Sequence, residues 1–442
     1  MKKLLSVVLA LLMLAVMLPV TAMAADGYVT VSGIKGFEKR QFASFAEAYA
    51  AIKPTVATLG LGQETPANAE AFDAVFTDVT DGKATLTYTI SGNVTYDESS
   101  CENLLTMGRK SSHYLTNDRH LINFKFVGAN GRDSDTLTVN SEMTLPYEWW
   151  SEKTTTSISF ENLTITGSAP NGLRPTQAFF EGINFKVDNC KLEGIKIYNC
   201  SNVGGSYTIT NNIFDGTNAP QNAYAIHLQG NETAPLTINI SNNTISGYDR
   251  GINIDQKTAA ATISNNNISV KDTGRSCIQL TRLASTKVEN NTMNLTGGNA
   301  ITLHEELLNC AKPEITVSGN TINGTGYLIY DDATANNKSF TNDNLTLTIT
   351  QDNTVAKAVN TTQGVKGSTK YGMSEIVKTK VENNVVPGGS TGGTIVIITP
   401  TGDTPKTEPE KNPTTGANDV VAAAVALMAV SALGAAVLTR KK

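Results

Sequence analysis

The chain has 442 residues, a formal net charge of −5 and only 17% charged residues. The lack of a basic excess argues against nucleic acid as a partner. Aromatic residues make up 6% of the chain, and its many Asn, Thr, Gly and Ile residues favour β-structure interrupted by turns.

Residues 1–24 have the pattern of an export signal. Met1-Lys2-Lys3 is a short basic segment, an apolar run extends from Leu4 to Val20, and Ala22-Met23-Ala24 follows. Pro19 and the Ala-x-Ala sequence favour cleavage after this segment over its retention as an anchor helix. We therefore predict a secreted protein.

A capping region is predicted at residues 25–100. The segment from Ser44 to Ile52 has the pattern of an amphipathic helix with Ser44 as its N-cap, and Thr85 to Ile90 alternates as a strand does. A helix at the end of a stack of repeats covers an apolar core that would otherwise be open. We expect this region to cap the next domain rather than to form a second functional domain.

A repeat dominates residues 101–386. The pattern apolar-x-Asn-x-x-apolar has successive starts 27, 22, 31, 23, 25 and 29 residues apart, which suits one coil of three short strands and three turns. The starts are Phe160, Val187, Ile209, Ile240, Ile263, Val288 and Val317, the last with Gly in place of Asn. A second apolar column advances in step: Ile226-His227-Leu228, Ile252-Asn253-Ile254, Ile278-Gln279-Leu280 and Ile301-Thr302-Leu303.

Two apolar columns and an Asn column that advance together predict stacked coils with one shared core; a β-sandwich or a propeller does not explain them. We expect Asn211, Asn242, Asn265 and Asn290 to adopt left-handed turns and to stack their amides inside the coils. The pattern resembles the parallel β-helix repeat of pectate-lyase-like proteins, over about residues 123–355. That resemblance implies an all-β fold, a right-handed parallel β-helix (a single-stranded solenoid) with an N-terminal helical cap.

The second apolar column predicts a ligand-facing surface. Because its aliphatic residues point inward, His227, Asn253 and Gln279 point outward and are candidates for ligand binding. Enzymes of the resembled fold carry their active sites on such a face, so the resemblance makes catalytic candidates of His304, Asp331, Asp255, Arg250 and Arg282. Coil stacking would bring His304 close to Asp331 as an acid–base pair. An ordinary solvated sheet face is the alternative.

No motif assigns a metal or a cofactor. Glu305, Glu306, Asp331 and Asp332 offer oxygen ligands for a hard cation such as Ca²⁺. The chain lacks the Gly-His-Gly sequence of polygalacturonases and the Arg-x-Pro-x-x-Arg signature of pectate lyases. These absences favour a function without catalysis.

The only two tryptophans, Trp149 and Trp150, are adjacent in an expected loop. Exposed indoles stack on sugar rings, which makes them candidates for ligand binding. Packing over the coil stack near the cap is the alternative.

Five cysteines, with no Cys-x-x-Cys pair, argue against a zinc site or a dense disulfide framework. We expect small buried side chains inside the coils; a Cys190–Cys200 disulfide is the alternative.

The C-terminus is predicted to attach the protein to the cell wall. A flexible linker at residues 387–411 precedes Asn412-Pro413-Thr414-Thr415-Gly416, a 19-residue apolar stretch from Val420 to Leu438, and Arg440-Lys441-Lys442. That stretch can span a hydrocarbon layer of ~30 Å, with its basic end in the cytoplasm. This tail, residues 412–442, resembles the cell-wall sorting signal of sortase substrates, with Asn412 in place of the usual Leu. A plain membrane anchor and a eukaryotic lipid-anchor signal are the alternatives.

The resemblance implies that a sortase recognises Asn412 and Pro413, cleaves between Thr415 and Gly416, and joins Thr415 to peptidoglycan. The apolar span is then in the membrane only transiently, and the protein is displayed on the cell wall of a Gram-positive-type bacterium. We expect a glycan-binding or adhesin-like surface protein that recognises polysaccharide or host or neighbour-cell glycans. A polysaccharide lyase or glycoside hydrolase, and a structural spacer of the envelope, are the alternatives.

Overall fold

The computed structural model describes residues 27–38, 40–57, 73–80, 83–97, 121–141, 143–145, 157–168, 173–176, 183–200, 205–230, 235–271, 275–335, 337–361 and 373–385. All of them belong to one compact unit, residues 1–393. The predicted export signal, Trp149, Trp150, the linker and the sorting signal, including Asn412, Pro413, Thr415 and Gly416, lie outside the described residues. Within the described ranges, no helix is both long enough and apolar enough to cross a membrane.

Short strands make up most of the described chain. In chain order they are β1 (Tyr28–Ser32), β2 (Arg40–Phe42), β3 (Lys83–Ser91), β4 (Asn93–Tyr96), β5 (Leu121–Gly128), β6 (Thr136–Val139), β7 (Met143–Leu145), β8 (Ser157–Glu161), β9 (Thr164–Thr166), β10 (Leu173–Thr176), β11 (Ile183–Asp188), β12 (Lys191–Glu193), β13 (Ile197–Cys200), β14 (Gly205–Thr210), β15 (Ile213–Asp215), β16 (Tyr224–Gln229), β17 (Leu236–Ser241), β18 (Thr244–Tyr248), β19 (Arg250–Asp255), β20 (Ala259–Ser264), β21 (Asn267–Val270), β22 (Ser276–Arg282), β23 (Ser285–Glu289), β24 (Thr292–Leu303), β25 (Glu314–Ser318), β26 (Thr321–Asp331), β27 (Thr346–Ile349), β28 (Thr354–Val355) and β29 (Val359–Asn360). The helices are α1 (Phe45–Ala57), α2 (Asp332–Ala335), α3 (Glu375–Asn384) and a 3-10 helix at Glu305–Asn309.

These strands form the predicted right-handed parallel β-helix, which has three faces. Face A is a 12-stranded sheet that contains β1, β2, β3, β5, β8, β11, β14, β17, β20, β23, β25 and β27. Faces B and C form one 17-stranded sheet because β24 and β26 run continuously from face B into face C. Face C contains β7, β10, β13, β16, β19, β22, the second halves of β24 and β26, and β29.

Helix α1 covers the N-terminal end of the core. Ser44 accepts a hydrogen bond from the Glu47 backbone N–H, and Glu47 accepts one from the Ala43 N–H, so the helix begins with reciprocal capping bonds. The Phe45 ring lies 5.7 Å from that of Tyr88 and 6.2 Å from that of Phe126. The helix extends to Ala57, five residues beyond the predicted end. The stacked coils begin at β3, within the region predicted to be the cap, because β3 pairs in parallel with β5.

The C-terminal end of the stack is closed around Asp331. This residue is buried at 2% exposure, and its carboxylate accepts the backbone N–H groups of Ala333 and Ser374 at 3.1 and 2.8 Å. Helix α3 begins directly after Ser374 and buries Val377 and Val381 in the core. The Asp331 carboxylate therefore ties α2 and α3 to the last coils.

The four turns between faces A and B for which an Asn was predicted carry it in the left-handed conformation. The φ angles are 60° at Asn211, 59° at Asn242, 56° at Asn265 and 56° at Asn290. Asn tolerates this conformation better than most residues because its short side chain bonds locally. The predicted stacking of these four side chains inside the coils is wrong: all four are exposed.

The buried amide stack is formed instead by the residue that follows each turn. These residues are Asn212, Asn243, Asn266, Asn291, Asn320 and Asn353, all at most 5% exposed, and we call them the inner ladder. Each Nδ2 donates to a backbone carbonyl of face A, as Asn266 does to Ile240 at 2.9 Å. Each Oδ1 accepts from the preceding coil, as Asn266 Oδ1 does from Asn243 Nδ2 at 2.9 Å. The left-handed turn reverses the alternation of the strand, so the second Asn points inward.

The cysteines with described side chains are free thiols. Cys190 and Cys277 are fully buried, and burial raises the pKa of each thiol to about 12. Cys190 takes the place of an Asn one coil before the inner ladder, and its backbone N–H donates to Asn212 Oδ1 at 2.8 Å. The expectation of small buried residues is confirmed at these two positions, and Cys190 is not in a disulfide with Cys200.

Candidate functional site

The outer surface of face C brings most of the predicted site residues together. Parallel pairing places His227 beside Asn253, Asn253 beside Gln279, and Gln279 beside Thr302. The same row starts with Tyr198 on β13 and ends with Tyr330 on β26. We call the surface formed by Tyr198, Tyr224, His227, Arg250, Asn253, Asp255, Gln279, Thr281 and Arg282 the C surface.

Three rings cluster at one end of the C surface. The His227 imidazole lies 5.2 Å from the Tyr198 ring, nearly edge-on, and 4.8 Å from the Tyr224 ring. The Arg250 guanidinium lies over the Tyr224 ring, 4.9 Å from its centre, and the Lys196 ammonium is 5.3 Å from the centre of the Tyr198 ring. These are cation–π distances, so the rings and the cations hold one another in place.

Burial lowers the pKa of His227 to about 4. That value includes an opposing contribution from the Asp255 carboxylate, which raises the pKa, and smaller lowering contributions by repulsion from Lys196 and Arg250. The imidazole is therefore neutral at physiological pH. It offers one donor and one acceptor there, and it is not a proton donor for general acid catalysis.

A chain of hydrogen bonds crosses three coils beside the ring cluster. Arg250 Nη1 donates to Tyr224 Oη at 2.9 Å, and Tyr224 Oη donates to Gln279 Oε1 at 3.1 Å. Gln279 Nε2 donates to Thr281 Oγ1 at 3.1 Å, and Thr281 Oγ1 donates to Asn253 Oδ1 at 2.8 Å. This chain, which we call the outer network, fixes the rotamers of the five side chains.

Asn253 differs from expectation in its environment. It lies on the outer side of face C as predicted, yet it is only 3% exposed. Neighbouring side chains on adjacent strands cover it, so it forms the floor of the C surface rather than a solvated position.

Asp255 and Arg282, both predicted as catalytic candidates, form an ion pair with each other. A β-bulge in β22 shifts the register so that Arg282, and not Thr281, pairs with Asp255. The Arg282 guanidinium donates a charge-assisted hydrogen bond to this carboxylate and occupies it. Glycoside hydrolysis usually needs two carboxyl groups of which one donates a proton, and this pair does not provide that arrangement.

The predicted acid–base pair of His304 and Asp331 is not formed. Asp331 lies beside Leu303 and points inward to the C-terminal helices. His304 Nδ1 instead accepts the Glu306 N–H at 3.2 Å, and its Nε2 lies 3.4 Å from Asp332 Oδ2. His304 therefore caps the 3-10 helix.

The carboxylates considered for a hard cation are engaged by protein groups. Glu305 pairs with Lys338 at 2.9 Å, and Glu306 accepts from Asn309 at 2.5 Å. In the described part of the chain, no group of three or more His, Cys, Asp or Glu residues is arranged to hold a metal ion.

Sequence reasoning missed Tyr198 and Tyr224, which supply both phenol rings of the cluster. Tyr224 lies two residues before the inward Ile226 on β16, so strict alternation places it inward. In the structure Ala225 and Ile226 are both buried, and this break in the alternation leaves Tyr224 on the outer side. Tyr198 follows Ile197 in the same apolar column, but β13 lacks the second aliphatic residue that marked the other strands. The sequence pattern was therefore misleading for Tyr224 and incomplete for Tyr198.

A family model described as a right handed beta helix region matches residues 172–345. The match spans β10 to β26 and therefore includes every strand of the C surface. Searches of curated proteins and of solved structures found no match. Fold and family match together define a protein with a right-handed parallel β-helix domain.

Proposed function

We propose that this chain is a cell-wall-displayed β-helix protein that binds glycan at its C surface. The observation that carries the proposal is the cluster of Tyr198, His227 and Tyr224 beside the outer network. Aromatic rings supply apolar faces for sugar rings, and orienting polar groups supply specificity. The row of outward side chains repeats at the spacing of the coils, which suits a chain-like ligand.

Binding rather than catalysis is the better-supported activity. The Asp255 carboxylate is paired with Arg282, His304 caps the 3-10 helix, and Asp331 closes the C-terminal end. These three residues were catalytic candidates, and each is engaged by other protein groups. An adhesin-like role toward host or neighbour-cell glycans follows from surface display.

A glycan array probed with residues 25–415, the mature chain expected after both cleavages, tests the binding proposal. We expect Tyr224→Ala and His227→Ala to weaken binding at least tenfold, because anchor residues of this type carry about 2 kcal/mol or more. Thr262→Ala, on the outer side of face A, is the control and should bind normally. Release of unsaturated uronides or new reducing ends from the array polysaccharides would instead indicate a lyase or a hydrolase.

The anchoring proposal rests on the sorting-signal pattern of residues 412–442 and is tested separately. Muramidase digestion of the producing cells should release a protein that carries peptidoglycan on Thr415. Deletion of residues 417–442 should send the protein into the medium. Intact Lys442 in the membrane fraction would contradict sortase processing and favour a plain membrane anchor.

A further inference from the structure

Arg250 determines which group donates and which accepts in each hydrogen bond of the outer network. A guanidinium can only donate, so Tyr224 Oη accepts from Arg250 and passes its own hydrogen to Gln279 Oε1. The amide nitrogen of Gln279 then faces Thr281, and the Thr281 hydroxyl hydrogen goes to Asn253 Oδ1. In this orientation every hydrogen shared within the outer network has an acceptor.

This direction engages both side-chain carbonyl oxygens of the outer network. The carbonyl oxygens of Gln279 and Asn253 accept from Tyr224 and Thr281. Asp255 accepts from Arg282, and the side-chain oxygen of Gln229 accepts from Tyr198 at 3.3 Å. Each of these four side chains therefore already accepts a hydrogen bond from the protein, and a sugar hydroxyl that donates its hydrogen to one of them has to share it.

Donors remain. Among the described residues, none accepts from Asn253 Nδ2 or from Arg250 Nε, and no described carboxylate pairs with Arg250. Gln279 Nε2 has two hydrogens and gives one to Thr281. A partly buried cation and amide N–H groups without acceptors lower the free energy of any oxygen acceptor placed against them.

We infer that the C surface recognises a carbonyl-type oxygen on its glycan, either a carboxylate or an acetamido carbonyl, rather than hydroxyl groups alone. This inference rests on the proposed glycan binding. A carbonyl or carboxylate oxygen accepts hydrogen bonds and has no hydrogen to place, so it matches a surface on which donors are left unpaired beside oxygens that already accept. A hydroxyl group can also accept here, but its own hydrogen then has to share an oxygen that is already engaged or turn to the acceptor nitrogen of His227.

Three tetrasaccharides with the same β-1,4-linked glucose backbone separate the possibilities. Cellotetraose has hydroxyl groups only, its 6-carboxylated derivative adds carboxylates, and chitotetraose adds acetamido groups. Calorimetric titration of residues 25–415 should show at least tenfold tighter binding of one carbonyl-bearing tetrasaccharide than of cellotetraose. Tighter binding of the carboxylated tetrasaccharide would identify the recognised group as a carboxylate, and tighter binding of chitotetraose would identify it as an acetamido carbonyl.

Two isosteric variants test the residues. Gln279→Glu and Asn253→Asp replace an amide donor with an acceptor and keep the oxygen that Tyr224 or Thr281 needs. Each should remove the preference for the carbonyl-bearing ligand, while denaturation midpoints confirm that the variants fold. The same chemical changes at Gln41 on β2 and at Asn239 on face A, Gln41→Glu and Asn239→Asp, should leave the preference unchanged.

Cellotetraose binding as tightly as both derivatives would overturn the inference and leave glycan binding intact. The inference would also be overturned if the Gln279→Glu and Asn253→Asp variants both retained the preference for the carbonyl-bearing ligand. A glycan without carbonyl groups as the tightest ligand on the array would overturn it as well. No binding to any tetrasaccharide or array glycan would overturn the inference together with the proposed function.

Discussion

Two polar networks cross the coils of this domain, and they differ in how completely they are bonded. The inner ladder repeats one residue type at one position, so each Asn between its two ends has the same partners above and below, and no buried side-chain N or O atom of the six residues lacks a hydrogen-bond partner. The outer network joins Arg250, Tyr224, Gln279, Thr281 and Asn253 and ends with donors to spare. A complete network stabilises the fold, whereas an incomplete one at the surface is suited to a ligand.

Breaking the inner ladder should give the largest effect. Asn266→Leu removes the donors to the Ile240 carbonyl and to Asn291 Oδ1, and it removes the acceptor for the Asn243 N–H and Nδ2 groups. Several buried groups lose partners at once, so we expect a loss of about 3 kcal/mol or more in the free energy of unfolding. Urea denaturation of residues 25–415 measures it. A loss below about 1 kcal/mol would mean that the ladder is not a stabilising element.

The neighbouring residue gives a matched comparison. Asn265 has φ 56° and is exposed, so Asn265→Leu costs only the strain of a left-handed turn, about 1–2 kcal/mol. Asn265→Gly should cost less than Asn265→Leu because glycine adopts this conformation without strain. The same denaturation series applies. Equal losses for Asn265→Leu and Asn266→Leu would remove the distinction between turn and ladder.

This pair also shows what the sequence could and could not predict. Local patterns predicted the coil length, the strand alternation and the left-handed Asn, because each depends on neighbouring residues. They did not predict which Asn enters the core, because Asn stands at both positions and the turn reverses the alternation between them.

The candidate site divides in the same way. Strict alternation predicted that His227, Asn253 and Gln279 share an outward row, and pairing confirms it. A bulge shifted Arg282 by one residue, and the end of β26 turned Asp331 inward. Both depend on contacts between coils, which a periodic pattern does not contain.

Asn253→Leu should have a smaller effect on stability than either ladder or turn substitution to Leu, and a larger effect on binding. The substitution leaves the Thr281 hydroxyl without its acceptor in a buried position, at a cost of about 1 kcal/mol. An outward position alone predicts a loss of about 0.5 kcal/mol or less, the value typical of solvated surface positions. The expected loss for Asn253→Leu is larger because Asn253 is buried. Denaturation and the glycan array on the same preparation measure both quantities. Unchanged stability would mean that Asn253 is solvated.

Tyr224→Phe should weaken the outer network with still less effect on folding. The ring and its contacts with His227 and Arg250 remain, but the hydroxyl that links Arg250 to Gln279 is lost. We expect a loss of at most about 1 kcal/mol in unfolding free energy and a reduced preference among glycans, because the orientation of the Gln279 amide is no longer set. Calorimetric titration of the variant with the three tetrasaccharides tests this. A full preference in the variant would separate ligand choice from the network.

One further effect is expected only in acid. His227 has its pKa lowered to about 4 from an ordinary 6.5, chiefly by burial. As pH falls below about 6.5, the unfolded chain takes up a proton that the folded His227 site refuses until about pH 4, so stability decreases across that window and His227 contributes no pH dependence above it. The folded protein should therefore lose less stability between pH 7 and pH 5 after His227→Gln than before it, whereas the cost of Asn266→Leu should be the same at both pH values. NMR titration of the His227 ring gives the midpoint directly. A midpoint near 6.5 would mean that the ring is open to solvent and that the cluster of Tyr198, His227 and Tyr224 is not packed as described.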